Sequence, residues 1–308
     1  MSQLGSFYRA NAPPRAASAP LQSRVEASVC VIGGGFAGLN TVVGLAERGC
    51  DGAILLESNE VGFGASGRNG GFVFGGFSRG ESALLRDLGP DRARKLYHGT
   101  IDAVDLIRQR IHRYNIACDA RFDGVLWANW FRDDSVLEAR QRLLREAYGV
   151  EWQYVEPDAL RDKVRSRRYH GALFEPDAFH FDPLKYARGL ADVASARGVC
   201  VHENSAVTAL ERDGSGWRVT TASGEVRARD VVLACGGYLA GLRKPVDAAV
   251  LPIATYVMVT EPLGDRLQDI LATHAAVYDT RFAFDYYRPL ADTRLLWGGR
   301  ISVRDRSP

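Results

Sequence analysis

A chain of 308 residues, 46% hydrophobic and 25% charged, can bury a large core in one or two domains and has the make-up of an ordinary soluble globular protein. Thirty-nine basic against 37 acidic residues leave a net charge of +2 without a sustained Lys/Arg run, which speaks against nucleic acid or an anionic membrane surface and for a small-molecule partner. Five scattered cysteines, an odd number with no C-x-x-C spacing, fit a reducing, cytoplasmic compartment.

Residues 1–24 lack an apolar signal core and read as a loose, Pro/Ala-rich N-terminal arm. Twenty uncharged residues between Glu26 and Glu47 have the length of a membrane crossing, but their five glycines, Asn40, Thr41 and a β-branched first third oppose a membrane helix. The same stretch reads better as a strand at 28–32, a glycine turn, and a helix with Ala37, Val42, Val43 and Ala46 on one face and Gly49 as its stop. A second strand follows at 53–57, completing a βαβ unit. Helical spacing continues over 91–113 and 134–148. Asp182-Pro183 then opens a helix that Gly198 closes. Beyond 199 the texture is β: VCVHE, AVTALER, WRVTT, EVRA and DVVLA, then ATYVMVTE, FDYYR and RLLWGG. Cys30, Cys200 and Cys235 lie in apolar strand-like runs and read as buried thiols.

The turn in VIGGGFAGL is Gly33-x-Gly35-x-x-Gly38, placed between strand and helix, with Glu57 ending the next strand; this is the setting a dinucleotide fingerprint requires. Gly33 permits the tight turn, Gly35 lets a pyrophosphate approach, and Gly38 lets helix and strand pack. The helix N-terminus at Phe36 and Ala37 offers unpaired N–H groups to phosphate, and Glu57 can accept from ribose hydroxyls. A nicotinamide cofactor has no need of a second glycine-rich loop directly after Glu57, whereas an extended flavin does. In GFGASGRNGG (62–71), Ser66, Arg68 and Asn69 can donate to phosphate or ribityl oxygens while the glycines let the chain run against the cofactor. Phe63, Phe72, Val73 and Phe74 make this stretch too apolar for a mere surface loop. No His or Cys falls within 62–71, so FAD would be held noncovalently. The six histidines show no metal-ligand spacing, and Ser66 sits in G-A-S-G rather than G-x-S-x-G, which disfavours a metal or a Ser-His-Asp mechanism.

VIGGGFAGL, LLESNEVGFGASGRNGG, DVVLACGGY, LPIATYVMVTEPL and YYRPLADTRLLWGG together resemble the FAD-dependent oxidoreductases of the D-amino acid oxidase superfamily, and within it most the gamma-glutamylputrescine oxidoreductases; the resemblance runs from about residue 7 to residue 304. It implies an α/β fold: a Rossmann-like FAD-binding domain from 25–80 and 175–245, and a mixed β-sheet substrate domain from 81–174 and 246–308. It also implies that Gly33, Gly35, Gly38 and Glu57 hold the ADP half, that Ala65, Ser66, Arg68, Asn69, Gly70 and Gly71 lie along the ribityl chain and flavin ring, that the Val207 backbone meets the adenine, and that Gly236 returns the chain to the cofactor. Gly236-Gly237 departs mildly from the asparagine common in such proteins.

On the substrate side the resemblance points to Tyr286, Tyr287 and Arg288. Strand alternation places Tyr286 and Arg288 on one face and Tyr287 on the other. Arg288 then has two readings, a bidentate clamp for a substrate carboxylate or a sheet-surface arginine paired with Asp285 or Asp292. The implied reaction is oxidative deamination of gamma-glutamylputrescine or a related amine or amino acid, within polyamine catabolism, by a cytoplasmic oxidase. It gives an aldehyde or keto product, ammonia and hydrogen peroxide, with molecular oxygen as second substrate. A dehydrogenase using another electron acceptor is the alternative. The match also implies a further C-terminal segment after RISVRDRSP; without it a sheet edge would stand open, and the chain would be a fragment or an inactive remnant. Oligomeric state stays open.

Overall fold

The computed structural model describes residues 5–303; the first four residues of the arm and the last five of the RISVRDRSP tail lie outside them. Its contacts separate two units. One holds the residues up to Asn69, with Ile116–Cys118 and Pro183–Ile253; the other holds Gly70–Asn115, Asp119–Asp182 and the residues from Ala254 onward. The seams fall after Asn69, Asp182 and Ile253, not at 80, 175 and 245, because a two-residue strand at Phe72–Val73 pairs with Phe179–His180 inside the second unit.

In chain order the first segment carries helix α1 (Phe7–Asn11), strand β1 (Arg24–Ile32), helix α2 (Phe36–Glu47) and strand β2 (Ala53–Leu56). The next carries β3 (Phe72–Val73), α3 (Glu81–Leu88), α4 (Pro90–Arg113), β4 (Val125–Ala128), α5 (Ser135–Leu143), β5 (Gln153–Val155), α6 (Pro157–Lys163), β6 (Ala172–Glu175) and β7 (Phe179–His180). The first unit resumes with α7 (Pro183–Ala196), β8 (Cys200–His202), β9 (Val207–Asp213), β10 (Gly216–Thr221), β11 (Glu225–Leu233) and α8 (Lys244–Asp247). The second closes with β12 (Ala254–Val259), β13 (Ala276–Asp279), β14 (Tyr286–Pro289) and β15 (Leu295–Ser302).

The first unit is built on a six-stranded sheet in the order β8-β2-β1-β11-β10-β9, parallel from β8 to β11 and antiparallel across β10. EVRA and DVVLA, two strands by their sequence, are the single strand β11, long enough to pair with β1 from Arg24 to Ile32. Cys30, Ile32, Ile54, Leu56 and Val226 fill one side of this sheet. Leu39, Val42 and Val43 of α2 and Leu190, Ala191 and Ala194 of α7 are buried, and the Phe36 and Tyr186 rings of these helices meet edge to face at 5.6 Å. Ala37 and Ala46 are not among the buried residues of that apolar face. The stretch with the length of a membrane crossing is thus the end of β1, the turn and α2; among the described residues no helix is long and apolar enough to cross a membrane. Burial pushes the Cys30 thiol up to about 12, as befits a small core hydrophobe, but Cys200 on edge strand β8 is exposed and Cys235 is half-buried.

The arm is not loose over its described residues. Tyr8 and Leu21 are buried, Arg9 pairs with Glu60 at 2.6 Å, and Leu21 N–H donates to Ser205 Oγ at 2.9 Å.

The second unit carries a seven-stranded mixed sheet in the order β12-β15-β14-β13-β4-β6-β5. Side-chain alternation gives it two apolar faces. Leu126, Ala128, Val277, Tyr287 and Leu295 pack with Leu160 of α6 on one. Leu173 and Trp127 on the other lie under Tyr97 of α4 and Leu137 of α5. The helix expected over 134–148 is α5 continued by a π turn at Leu144–Tyr148, ended by Gly149 in the left-handed region (φ 69°).

Candidate cofactor and substrate sites

The turn after β1 shows why glycine is required. A Cβ on Gly38 would lie 1.9 Å from the Gly33 carbonyl oxygen, and one on Gly33, at φ +115°, would lie 2.5 Å from the Ala234 carbonyl oxygen. At Gly35 the nearest atom would be Ser66 Oγ, 2.8 Å away. Gly35 precedes α2 without a side-chain cap, so the first turn presents backbone N–H groups, that of Ala37 included, and the positive end of the helix dipole. Phe36 N–H donates to Ser66 Oγ at 2.9 Å, so Ser66 acts here as an acceptor for the first turn of the helix. Glu57 accepts from Gly34 N–H at 2.6 Å, Asn59 N–H at 2.9 Å and the Ser58 hydroxyl at 3.2 Å. A carboxylate accepts about four hydrogen bonds, which leaves capacity for a ribose hydroxyl. Cβ-free approach, open helix N-terminus and anchored acid together fit the ADP portion of a dinucleotide.

The loop that follows is fixed by its own donors. Asn69 Nδ2 donates to the carbonyls of Ala65 at 3.0 Å and Ser66 at 3.1 Å, closing the short turn Ala65–Gly67, and the Tyr8 hydroxyl donates to the Asn69 carbonyl at 2.9 Å. Arg68 lies over the Phe63 ring at 4.7 Å with no hydrogen bond to its side chain among the described residues. Of the three donors expected to reach a ligand, the Asn69 amide is thus spent on the loop, while the Ser66 hydroxyl, an acceptor toward Phe36, keeps its own proton to donate and Arg68 keeps its guanidinium. Val207 opens β9, half-buried opposite Thr221. Gly236, at φ +55°, opens a short turn with open space beside its Cα: a Cβ added there would meet nothing within 4 Å.

Glu203 carries no signal in the sequence. Its side chain is fully buried and takes Arg15 at 2.7 Å, Ser18 N–H at 2.5 Å and Val61 N–H at 2.6 Å. Burial works to raise its carboxyl, but the Val61 and Ser18 amides and Arg15 outweigh that and hold it below its ordinary value. The HENS run in which it sits is uninformative because its three partners come from the arm and from the segment after β2.

In the second unit the Tyr286 ring stands between two glycines. A Cβ on Gly70 would come within 2.4 Å of it and one on Gly298 within 2.0 Å. Phe72 and Phe284 meet the same ring at 5.5 and 6.0 Å, and Phe74 stacks on Tyr278 at 5.2 Å. Burial raises the Tyr286 phenol above its ordinary value, so it stays a neutral donor, and its hydroxyl has no hydrogen-bond partner among the described residues. Tyr287 points to the other face and stacks on Trp297 at 4.5 Å.

Arg288 is neither at the sheet surface nor paired with Asp285 or Asp292: it is 3% exposed, Asp285 pairs with Arg281, and Asp292 pairs with Arg294. Its Nε donates to the Gly70 carbonyl at 2.6 Å, Nη2 to the Phe181 carbonyl at 2.9 Å, and Nη1 faces His180 Nδ1 at 3.3 Å. His180 Nε2 lies 2.9 Å from the His274 carbonyl, which assigns the proton to Nε2 and leaves Nδ1 to accept from Arg288. Burial, reinforced by the Arg288 cation, pushes this imidazole down to about 3.

Glu175, at the end of β6, is pushed up to about 7 by burial. Between its ordinary 4.5 and about 7 the folded chain therefore binds more protons than the unfolded one, and this group's contribution to stability falls as pH rises through that window. His180 acts in the opposite sense between 3 and 6.5, where stability falls as pH drops. Glu175→Gln removes only the first effect. The variant is expected to be more stable than the parent at pH 8, by on the order of 3 kcal/mol at most, with the gap closing near pH 4.5 in thermal melts across the range. A gap that persists on acidification would contradict the assignment.

The comparisons with known proteins agree with this architecture. A family profile described as FAD dependent oxidoreductase (DAO) matches residues 28–307. The chain is 37% identical over 306 residues to Gamma-glutamylputrescine oxidoreductase of Escherichia coli strain K12, covering 98% of this chain and 71% of that protein. It is 35% identical over 289 residues to the Probable oxidoreductase OrdL of Haemophilus influenzae, covering 92% and 67%. In fold it is similar to glycine oxidase from Geobacillus kaustophilus, with a TM-score of 0.69 at 22% identity over 90% of this chain and 72% of that one. It is also similar to L-proline dehydrogenase from P. horikoshii, with a TM-score of 0.71 at 18% identity over 94% and 72%. A glycine-walled turn feeding an open helix, an anchored acid on the next strand, and a family match spanning nearly the whole chain converge: this protein belongs to the family of FAD dependent oxidoreductases.

Proposed function

We propose that the chain oxidises gamma-glutamylputrescine or a related amine or amino acid to its imine, with oxygen as acceptor and hydrogen peroxide as its product, and that water hydrolyses the imine to an aldehyde or keto product and ammonia. The observation that carries this reading is the 37% identity to Gamma-glutamylputrescine oxidoreductase over 98% of the chain. FAD supplies the two-electron redox chemistry when bound, and the protein supplies binding, orientation and exclusion of water. In the first unit Gly35, Ala37 and Gly38 offer backbone N–H groups to the pyrophosphate, beside the Cβ-free turn at Gly33 and the helix start at Phe36, whose own N–H groups are bonded to Leu56 and Ser66; Glu57 takes the ribose, the Val207 backbone borders the adenine, and Ala65, Ser66, Arg68, Asn69 and Gly236 border the rest of the cofactor. In the second, Gly70 and Gly71 provide a Cβ-free track. The Tyr286 hydroxyl offers a hydrogen bond to the substrate, amid the Phe72, Tyr278 and Phe284 rings that keep water away. Arg288, occupied by the Gly70 and Phe181 carbonyls, acts as a positioning residue for the glycine track in place of a substrate clamp. Five free cysteines support a cytoplasmic setting.

The test is peroxide release and amine consumption by the desalted, flavin-containing protein with gamma-glutamylputrescine. Equal amounts of peroxide and consumed amine support the oxidase. Turnover only with an artificial quinone acceptor makes it a dehydrogenase, and no turnover with either acceptor overturns the reading. Tyr286→Phe keeps the ring and removes the hydroxyl; it is expected to lower kcat/KM by about 10- to 100-fold, the worth of one hydrogen bond to a charged or polarising partner, at unchanged flavin content.

A further inference from the structure

The second unit contains a cavity of about 150 Å³ that the proposed reaction does not use. Glu175 lines it, along with Tyr97, Trp152, Asp105, Glu151 and Asp177. Glu175 Oε2 is buried and has no hydrogen-bond partner; its other oxygen receives only a long contact, 3.5 Å, from Gly75 N–H. An orphaned buried carboxylate oxygen calls for a ligand or a cost. Arg140, the nearby cation, is committed elsewhere: it pairs with Glu81 and lies 5.3 Å from each of the Trp127 and Trp152 rings. Asp105 is offset by Arg108, which also binds the Asp177 carbonyl. Glu175, Glu151 and Asp177 are left without an ion pair among the described residues and give the cavity a negative potential. The acids are too dispersed for a metal ion, since no group of three or more candidate ligands comes together among the described residues. Carboxylates separated by apolar and aromatic wall suit instead an elongated organic cation, whose ammonium meets the acid while its methylenes lie on the rings.

We propose that this cavity is a binding site for an alkylammonium group, with Glu175 as its anchoring carboxylate and Asp177 and Glu151 meeting a second charge at the mouth. The proposal stands on the cavity and not on the assigned reaction, so it can fail or hold independently of that reading. Two sources of the cation are distinguishable: the far end of the oxidised substrate, or a separate amine.

The experiment is calorimetric titration of the purified 308-residue protein with 1,5-diaminopentane at pH 8 and low ionic strength, with 1,5-pentanediol as the neutral control of equal length. Saturable diamine binding, absence of diol binding, at least a tenfold loss in Glu175→Gln and a two- to threefold loss in Asp177→Asn are expected. If Glu175→Gln also raises KM for the oxidised amine at unchanged kcat, the cavity takes the substrate's own cationic end; if KM is unmoved, it serves a separate amine. Equal affinity in parent and Glu175→Gln, diol binding comparable to diamine, or no saturable binding would overturn the proposal.

Discussion

Gly38→Ala is expected to yield a protein that does not retain flavin through gel filtration. The added methyl would sit 1.9 Å from the Gly33 carbonyl oxygen and 3.3 Å from Val31 Cγ1. The first of these is a backbone atom that cannot swing aside: Gly33 N–H is bound to the Leu56 carbonyl at 2.8 Å and Ala234 N–H to the Ile32 carbonyl at 2.8 Å. Relief therefore comes only by moving α2 away from β1, at a cost of about 1–3 kcal/mol or more for overpacking, and that displacement takes the helix N-terminus away from the phosphates. Gly198→Ala, just past the end of α7, is the control. It places alanine at positive φ, but its methyl meets nothing within 4 Å, so a loss of about 1–2 kcal/mol with flavin retained is expected. Flavin content per chain and melting temperature check both. Parent-like flavin content in Gly38→Ala would mean that the turn is not the cofactor's seat.

Arg288→Met is expected to destabilise the second unit by about 3–5 kcal/mol, from three buried acceptors each left without a donor at about 1–3 kcal/mol. The Gly70 and Phe181 carbonyls and His180 Nδ1 each lose a donor at a place water does not reach, and methionine fills the volume without replacing any of them. Arg288→Lys is expected to recover less than half of this, because one ammonium cannot reproduce the forked geometry that spans two carbonyls from different segments. Urea unfolding followed by tryptophan fluorescence checks the series. Parent-like stability in Arg288→Met would mean that these hydrogen bonds do not hold the second unit together.

The elements legible in the sequence are those whose signal is local. The glycine turn between an apolar run and a helical period, the acid after β2, and the Asp182-Pro183 start of α7 each lie within a few residues, where spacing alone is informative. Strand β13 gives no such signal because all four of its residues, Ala276–Asp279, are buried, so alternation vanishes. β4 likewise finds its partners β6 and β13 far along the chain. At the sites, residue type is readable but geometry is not. Ser66 has the chemistry of a donor and in the fold accepts from Phe36 N–H. Arg288 has the chemistry to meet a carboxylate or an aspartate and instead binds backbone of residues 70 and 181. Glu203 and Glu175 owe their character to burial by segments that no window around them contains.

The pairing of β1 with β11 also bears on how the protein is made. Val29 lies beside Asp230 and Ile32 beside Leu233, about 200 residues later, roughly 10–40 s of translation at ordinary rates. During that interval the growing chain carries a glycine turn whose preceding strand, β1, has one edge bare and Cys30 and Ile32 without their cover. Slow codons placed before residue 230 would lengthen the period in which β1 can pair with the wrong strand.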